Sequence, residues 1–222
     1  LMTVQKFRDW AQNEPLPPGE YLAVQKMTLW FSDLTGSTAL YARNGDPFAY
    51  NLVREHFDII TGAIQQAGGA VVKTIGDGVM AVFSTAKQGL QAALDANQRL
   101  DAFNEASNLE GDRRLSLKVG IHCGPAIVVT LNERLDYFGT TVNIASRVSN
   151  LAKGKEIMLT QAAYTAPELA DMVSAYKTDL FESDIRGLEN RVAVCRVQLA
   201  PKPEAPRRGL LGFLDRLGAN SR

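Results

Sequence analysis

The chain is 222 residues long, 45% hydrophobic and 22% charged, a composition typical of an ordinary globular protein rather than a disordered or membrane-embedded one. Lys and Arg together number 24, as do Asp and Glu, so the net charge gives no general attraction to nucleic acid or anionic lipid. Any site for an anion therefore has to be local.

The apolar segments and the two cysteines predict a cytoplasmic protein. No uncharged apolar run reaches the roughly 18 residues of a membrane span, and no signal peptide opens the sequence. Cys123 and Cys195 lie in separate apolar stretches, where buried free thiols suit a reducing compartment. Because Leu1 precedes Met2, we expect the full-length protein to contain upstream sequence, including a regulatory domain.

The N-terminal part is predicted to be a linker followed by a strand and a short helix. Residues 1–24 are polar and proline-marked, which is typical of a linker or of the remnant of a preceding module. Residues 26–32 have strand composition and lead to Gly36, Ser37 and Thr38, which supply turn and helix-cap chemistry. We expect the short helix that follows to end near residue 44.

Residues 45–106 are predicted to form two long helices with a hairpin between them. Asp46 as N-cap and Pro47 at the first helical position start the first helix. Two β-rich arms around Gly76-Asp77-Gly78 predict a hairpin with the aspartate at an exposed tip, and the second helix follows over residues 85–106. The apolar residues of the first helix recur at helical spacing: Phe48, Leu52, Val53, Phe57, Ile60 and Ile64.

The rest of the chain is predicted to hold a second hairpin, a helix and three more strands, with a short helix among them. Gly124-Pro125 should break the hairpin, and the segment DYFGTTVNIASR should open the helix. The order β-α-β-β-α-β with additions predicts an α+β sandwich of ferredoxin-like type with added C-terminal strands, followed by a flexible tail over 200–222. The expected bounds are 115–121 and 126–131 for the hairpin arms, 136–151 for the helix, and 156–160, 175–183 and 192–199 for the strands.

Two carboxylates are expected to meet at one edge of this sheet. Asp33 ends the first strand and Asp77 tips the hairpin beside it. Mg²⁺ is commonly held by one or two carboxylates together with substrate phosphates. Either aspartate alone is more often a structural residue, but a helix N-terminus that favours phosphate oxygens follows Asp33 directly. The phosphate-binding candidates at that terminus are Thr35, Gly36, Ser37 and Thr38.

A second set of polar side chains has the chemistry to bind a nucleotide. Asn143 and Arg147 are four residues apart, so they project from one face of the predicted helix, where the guanidinium suits phosphoryl oxygens and the amide can orient a ribose. Asp136 can accept from an amino group, and Lys73 can donate to a ring nitrogen. An acceptor beside a donor is what the adenine edge requires. A helix with ordinary surface polar groups is the alternative for this segment alone.

Four stretches of the chain together resemble the signature stretches of the class III nucleotidyl cyclases. They are FSDLTGST, KTIGDGVMAVF, VGIHCGP and DYFGTTVNIASR. The resemblance covers roughly residues 25–199 and implies that they are a cyclase catalytic domain. The segment at its N-terminal end resembles bacterial adenylate cyclases in which the catalytic domain follows another module. Cys123 departs from the small polar residue often present in the family and is interpreted as a packing residue.

The resemblance implies a role for each candidate in converting ATP to 3′,5′-cyclic AMP and pyrophosphate. Two divalent cations, Mg²⁺ or Mn²⁺, are assigned to Asp33, Leu34 and Asp77. The other positions contact the nucleotide: Lys73 and Asp136 at adenine, Asn143 and Arg147 in the transition state, and Arg186 and Lys118 at the terminal phosphates.

The family likeness also implies a head-to-tail homodimer with two shared sites. Asp33 and Asp77 would come from one chain, and the adenine-reading and transition-state residues from the other. The ribose 3′-oxygen would attack the α-phosphorus, and no side chain in the set is an obvious general base. Asp33, water and the substrate phosphate therefore all stay open as the acceptor of the proton.

Three other interpretations compete with an active adenylate cyclase. A catalytically silent, nucleotide-binding regulatory domain of the same fold would have no chemical need for the intact Asp33, Asp77, Asn143 and Arg147. A diguanylate cyclase is disfavoured because no GGDEF-like turn occurs. A purely structural dimerisation domain would show no rise in melting temperature with Mn²⁺ and ATP.

Overall fold

The structure is a computed structural model that describes Gln5 and residues 16–17, 19–132 and 134–199. The predicted tail over 200–222 and most of the predicted linker over 1–24 lie outside the described residues. The strands are β1 (Leu22–Leu34), β2 (Ala70–Ile75), β3 (Gly78–Phe83), β4 (Leu117–Leu131), β5 (Arg134–Phe138), β6 (Glu156–Thr160), β7 (Lys177–Ser183) and β8 (Val192–Gln198). The helices are α1 (Ser37–Asn44), α2 (Asp46–Gln66), α3 (Ala86–Ala106), α4 (Thr140–Ser149), α5 (Gln161–Tyr164) and α6 (Ala170–Ser174), with 3₁₀ turns at Gly111–Arg113 and Pro167–Leu169.

The strands form one mixed sheet, which confirms the predicted α+β class. Its order is β2-β3-β1-β4-β6-β8-β7, with β5 paired to β4 off this path. Neighbouring strands are antiparallel except for β4 and β6, which are parallel. No helix within the described residues is long and apolar enough to cross a bilayer.

Helices cover both faces of the centre of the sheet. Trp30 of β1 packs in a cluster with Ile60 of α2 and Leu90 of α3, whereas its neighbour Phe31 packs in a second cluster with Ala145 of α4. Successive side chains of a strand point to opposite faces, so a strand covered on both sides is buried at every position. This arrangement accounts for the unbroken buried run over 27–32, and it fixes α4 against the face of the sheet opposite α2 and α3.

The prediction that Gly124-Pro125 breaks a hairpin is wrong. Strand β4 runs without interruption through both residues, and the hairpin turn comes later, at Asn132, whose φ of +50° suits the turn that brings Leu131 opposite Arg134. The register between β1 and β4 shifts between Val24 and Met27, so the proline lies opposite an irregularity of the ladder. Proline is tolerated at such a point because no ladder hydrogen bond is lost there.

Several predicted bounds also differ from the structure. Helix α4 begins at Thr140, because the preceding Asp136 and its neighbours pair with β4 as strand β5. The N-cap of α2 is Gly45 rather than Asp46, which lies in the first turn with Pro47. The hairpin of β2 and β3, the span of α3 and the two buried free cysteines are confirmed.

Candidate active site

The two predicted metal carboxylates lie where the end of β1 meets the β2–β3 turn. Ser32 is paired with Val79, and a Cβ added to Gly78 would lie 2.5 Å from the Ser32 carbonyl oxygen. Only glycine allows this close approach, which holds the turn against the strand end that carries Asp33. A pocket of about 170 Å³ opens there, and α4 contributes to its lining: Phe31, Ser32, Asp33, Ile75, Gly78, Val79, Ser146, Ser149 and Asn150.

Asp77 does not sit at an exposed tip as predicted. Its side chain is half-buried, and its Oδ2 atom is buried without a hydrogen-bond partner among the described residues. A buried carboxylate oxygen without a partner is costly, and a bound cation would remove that cost. We call Asp33 and Asp77 the acidic pair. The unpartnered Asp77 oxygen is a feature of the structure that fits the binding of divalent cations by this pair.

A cation held by Asp33 and Asp77 would need further ligands besides these two carboxylates. Within the described ranges, no group of three or more His, Cys, Asp or Glu side chains is placed to hold a metal ion. Leu34 has a buried side chain, 4% exposed, so only its backbone carbonyl is available for the metal role proposed for it. Two carboxylates completed by backbone, water and phosphate oxygens are the usual donors for Mg²⁺.

Sequence reasoning missed a buried histidine close to the acidic pair. His56 of α2 is fully buried, and its Nδ1 lies 2.5 Å from the carbonyl oxygen of Val53, so this nitrogen carries the proton and donates it. Burial lowers the pKa of His56, an effect opposed by the Val53 carbonyl and by the nearby Asp77 and Asp33. The sequence signal that could have revealed it is its position: His56 lies on the same apolar face of the helix as Val53 and Ile60.

The second histidine of the chain is tied to the sheet. His122 Nδ1 lies 2.7 Å from the Thr160 hydroxyl oxygen, which joins β4 to β6. Burial lowers the pKa of His122 to about 4, so its imidazole is neutral at physiological pH.

Lys118 lies beside the acidic pair. In the antiparallel register of β1 and β4 it is directly opposite Asp33, and its Nζ is 2.7 Å from Asp33 Oδ2. From the sequence, this lysine is predicted only as a contact of the terminal phosphates. The structure places it in an ion pair with a predicted metal ligand.

The predicted adenine-reading pair is in direct contact. Lys73 Nζ lies 2.5 Å from Asp136 Oδ2, while Asp136 Oδ1 accepts a hydrogen bond from the Tyr137 backbone N–H at 2.8 Å. The aspartate is buried and the lysine side chain is 43% exposed, so the pair presents a buried acceptor beside a partly exposed donor. The pocket in front of them, about 520 Å³, is lined by Val72, Lys73, Leu131, Asn132, Arg134, Leu135 and Asp136.

Helix α4 carries the predicted transition-state residues. Asn143 is exposed, and Arg147, one turn later, is half-buried and donates through Nη1 to the backbone carbonyl of Arg186. Both arginines line a pocket of about 540 Å³ together with Asn150 and Asp184. The exposed Arg186 therefore lies close to Arg147, as the phosphate role proposed for it would need.

The predicted phosphate-binding helix start is partly engaged by the fold. Gly36, with φ +79°, is the N-cap of α1, and no side chain caps this end. The Thr35 N–H donates to the Ser116 carbonyl oxygen at 2.8 Å, so this amide is used within the fold. Ser37 and Thr38 lie in the first turn of α1, where backbone N–H groups lack helical partners.

Within one chain, the candidate residues form separate groups. Asp33 lines the first pocket, Arg147 and Arg186 line the second, and Lys73 and Asp136 line the third. Only Asn150 lines both of the first two pockets, and the third shares no lining residue with either. Asp33 and the pair of Lys73 and Asp136 therefore line different pockets of the single chain.

This mixed sheet, with two aspartates at one strand end and a Lys–Asp pair on neighbouring strands, is the arrangement expected of a nucleotidyl cyclase catalytic domain. Residues 20–194 match the family model described as "Adenylate and Guanylate cyclase catalytic domain". The chain belongs to this family.

Relatives and solved structures agree with this membership. The adenylate cyclase of Anabaena cylindrica is 31% identical over 152 residues, which are 63% of this chain and 30% of that protein. Adenylate cyclase 1 of Rhizobium meliloti (strain 1021) is 28% identical over 67% of this chain and 24% of that protein. The chain thus spans less than a third of the length of either relative. The crystal structure of an adenylate/guanylate cyclase/hydrolase from Silicibacter pomeroyi has a TM-score of 0.69 and 25% identity, covering 82% of this chain and 100% of that one.

Proposed function

We propose that this chain is an adenylate cyclase that converts ATP to 3′,5′-cyclic AMP and pyrophosphate. The observation that carries the choice of ATP is the contact between Lys73 and Asp136, which sets a donor beside a buried acceptor. Adenine offers an amino donor next to a ring-nitrogen acceptor, so it complements this pair. The curated relatives from Anabaena cylindrica and Rhizobium meliloti are named adenylate cyclases, which supports the same choice.

The reaction is an intramolecular displacement. The ribose 3′-oxygen forms a bond to the α-phosphorus, the bond from that phosphorus to the bridging oxygen breaks, and pyrophosphate leaves. The proton of the 3′-hydroxyl passes to Asp33, water or a substrate phosphate. Two divalent cations, when bound, would supply acidity to the 3′-hydroxyl and neutralise the triphosphate charge.

Each candidate site residue has a defined role in this reaction. Asp33 and Asp77 hold the cations, with the Leu34 carbonyl as a further ligand, and the exposed Asn143 orients the ribose for attack. Arg147 meets the charge that develops on the α-phosphoryl oxygens. The helix start at Ser37 and Thr38 and the side chains of Lys118 and Arg186 contact the β- and γ-phosphates.

The working unit in this proposal is a head-to-tail homodimer. The three pockets of one chain are lined by largely different residues, so one chain offers parts of a site. A two-fold partner would bring the Lys73, Asp136, Asn143 and Arg147 of one copy to the Asp33 and Asp77 of the other. We also propose that residues 25–199 are the catalytic domain, that the full-length protein has an upstream regulatory domain and that it works in the cytoplasm.

The product identifies the function directly. Incubation of the protein with ATP or GTP and either Mg²⁺ or Mn²⁺, followed by mass analysis, should give cyclic AMP from ATP, with an Asp33→Ala chain as the inactive control. Cyclic GMP as the main product would replace the proposal by a guanylate cyclase. Binding of ATP with no cyclic product under any condition would favour the silent regulatory domain.

The base preference should reverse when the adenine-reading pair is reversed. Guanine presents an acceptor and a donor where adenine presents a donor and an acceptor, so Lys73→Glu with Asp136→Cys should shift the ratio of kcat/KM for GTP over ATP by about 10²-fold or more. Steady-state kinetics with both nucleotides measures this ratio. Asp136→Cys alone is the matched control, because it removes the acceptor and leaves the lysine. An unchanged preference for ATP in the double variant would contradict the assignment.

A further inference from the structure

The ion pair of Lys118 and Asp33 is built into the centre of the sheet. The two residues are opposite each other in the register of β1 and β4, and Nζ lies 2.7 Å from Oδ2. The lysine side chain is only 18% exposed and the aspartate 35%, so this pair is better shielded than an ordinary surface ion pair. Its geometry is set by strand pairing rather than by two free side chains meeting.

The two carboxylates of the acidic pair differ in their polar partners. Asp33 already has a cationic partner, whereas Asp77 Oδ2 is buried without a hydrogen-bond partner among the described residues. An ammonium beside a carboxylate supplies part of the charge compensation that a divalent metal ion would supply there. The ammonium of Lys118 thus occupies a carboxylate oxygen that the proposed cations need.

We propose that Lys118 is a place-holder for the metal: it holds Asp33 in the absence of nucleotide and opposes cation binding until a triphosphate draws its ammonium away. The inference rests on the proposed function for its last step, the transfer of the ammonium to a triphosphate. Its first step, competition between an ammonium and a cation for one carboxylate, depends only on the contacts of this chain.

The charges explain why the ammonium would oppose a cation at Asp33. A divalent cation on Asp33 Oδ2 would stand next to a positive ammonium in a partly buried site, where repulsion is screened less than in water. A bound triphosphate removes the conflict, because it gives the ammonium a new anionic partner. Metal and nucleotide binding are then coupled, and by linkage each raises the affinity for the other.

The test begins with metal alone. Mn²⁺ binding to the full chain without nucleotide is measured from the electron paramagnetic resonance signal of free Mn²⁺, a readout that needs no turnover. Lys118→Met should tighten Mn²⁺ binding about three- to tenfold, the scale of removing one partly exposed like charge next to the ion. Lys118→Arg, which keeps the charge, should bind Mn²⁺ as the wild type does. Lys155→Met is the matched control, since it removes a lysine paired with Asp101 at 2.8 Å, away from the acidic pair.

The second measurement repeats the titration with 3′-deoxy-ATP, which lacks the attacking hydroxyl. Here Lys118→Met should weaken binding of the metal–nucleotide complex about tenfold, because one contact to the triphosphate is lost. A tighter metal with a weaker metal–nucleotide complex is a pair of opposite effects that a merely structural lysine would not produce. Effects of the same sign, or no measurable Mn²⁺ binding to either protein, would overturn the proposal.

Failure of the place-holder and failure of the proposed function give different results. If the wild type makes cyclic AMP but Lys118→Met leaves Mn²⁺ binding unchanged, the place-holder falls and the cyclase stands. If Mn²⁺ binding tightens while no cyclic product forms from any nucleotide, the competition at Asp33 stands and the cyclase falls. Lys118→Gln is the second variant, and loss of the folded state in both would also overturn the proposal, because Lys118 would then be a structural residue.

Discussion

Replacing Arg147 by alanine should lower kcat about 10²- to 10³-fold, the scale for removing one donor to a charge that develops only in the transition state. The guanidinium is half-buried on α4 and donates to the Arg186 carbonyl, so it is held beside a residue proposed to contact the terminal phosphates. Because the lost contact strengthens during the reaction, KM for ATP should change much less than kcat. Initial rates over a range of ATP concentrations separate the two constants.

The control for this variant is Arg191, five positions after Arg186 in the chain. Arg191 pairs with Glu182 and Asp184 on the surface, so Arg191→Ala removes a more exposed guanidinium outside the proposed machinery and should keep kcat within about twofold. The Arg186 carbonyl that accepts from Arg147 is exposed, so water can replace the lost donor and the fold should be kept. Near-wild-type turnover of Arg147→Ala would refute the assigned role.

The fold could be predicted in outline because most of its signals are local. The Thr85 capping box marks the start of α3, and Gly76 and Gly78 mark the turn between β2 and β3. The end of β4 could not be predicted in the same way. Gly124 and Pro125 look like a turn, but the pairing of Gly124 with Met27 and of Ala126 with Val24 keeps this segment in the ladder with β1. Such pairing joins residues far apart in sequence, so it is absent from any local pattern.

The candidate site was accessible to sequence reasoning as a set of residue types, but not as a set of contacts. Asp33 and Lys118 are 85 positions apart, and only the register of two strands makes them partners. The burial of Asp77 Oδ2 depends on how the turn packs, which the glycines around it do not reveal. His56 was missed for a related reason, because a lone polar residue among apolar ones does not show what covers it.

Mixing two inactive variants should restore activity if the proposed sites are shared between chains. An Asp33→Ala chain still supplies Arg147, and an Arg147→Ala chain still supplies Asp33, so a heterodimer of the two contains one intact site and one site with both defects. In a 1:1 mixture with random pairing, half of the dimers are heterodimers, and about a quarter of the wild-type activity should return. Each variant alone sets the baseline.

A second mixture makes this test specific to the head-to-tail arrangement. Asp33→Ala and Asp77→Ala chains carry their defects in the same half of the site, so every pairing leaves both sites with an incomplete acidic pair, and the mixture should stay inactive. Recovery in the first mixture and not in the second requires that the carboxylates act on a substrate held by the partner's arginine. Silence of both would place the acidic pair and Arg147 of one chain in the same site, and it would require the separate pockets of the single chain to close on one nucleotide.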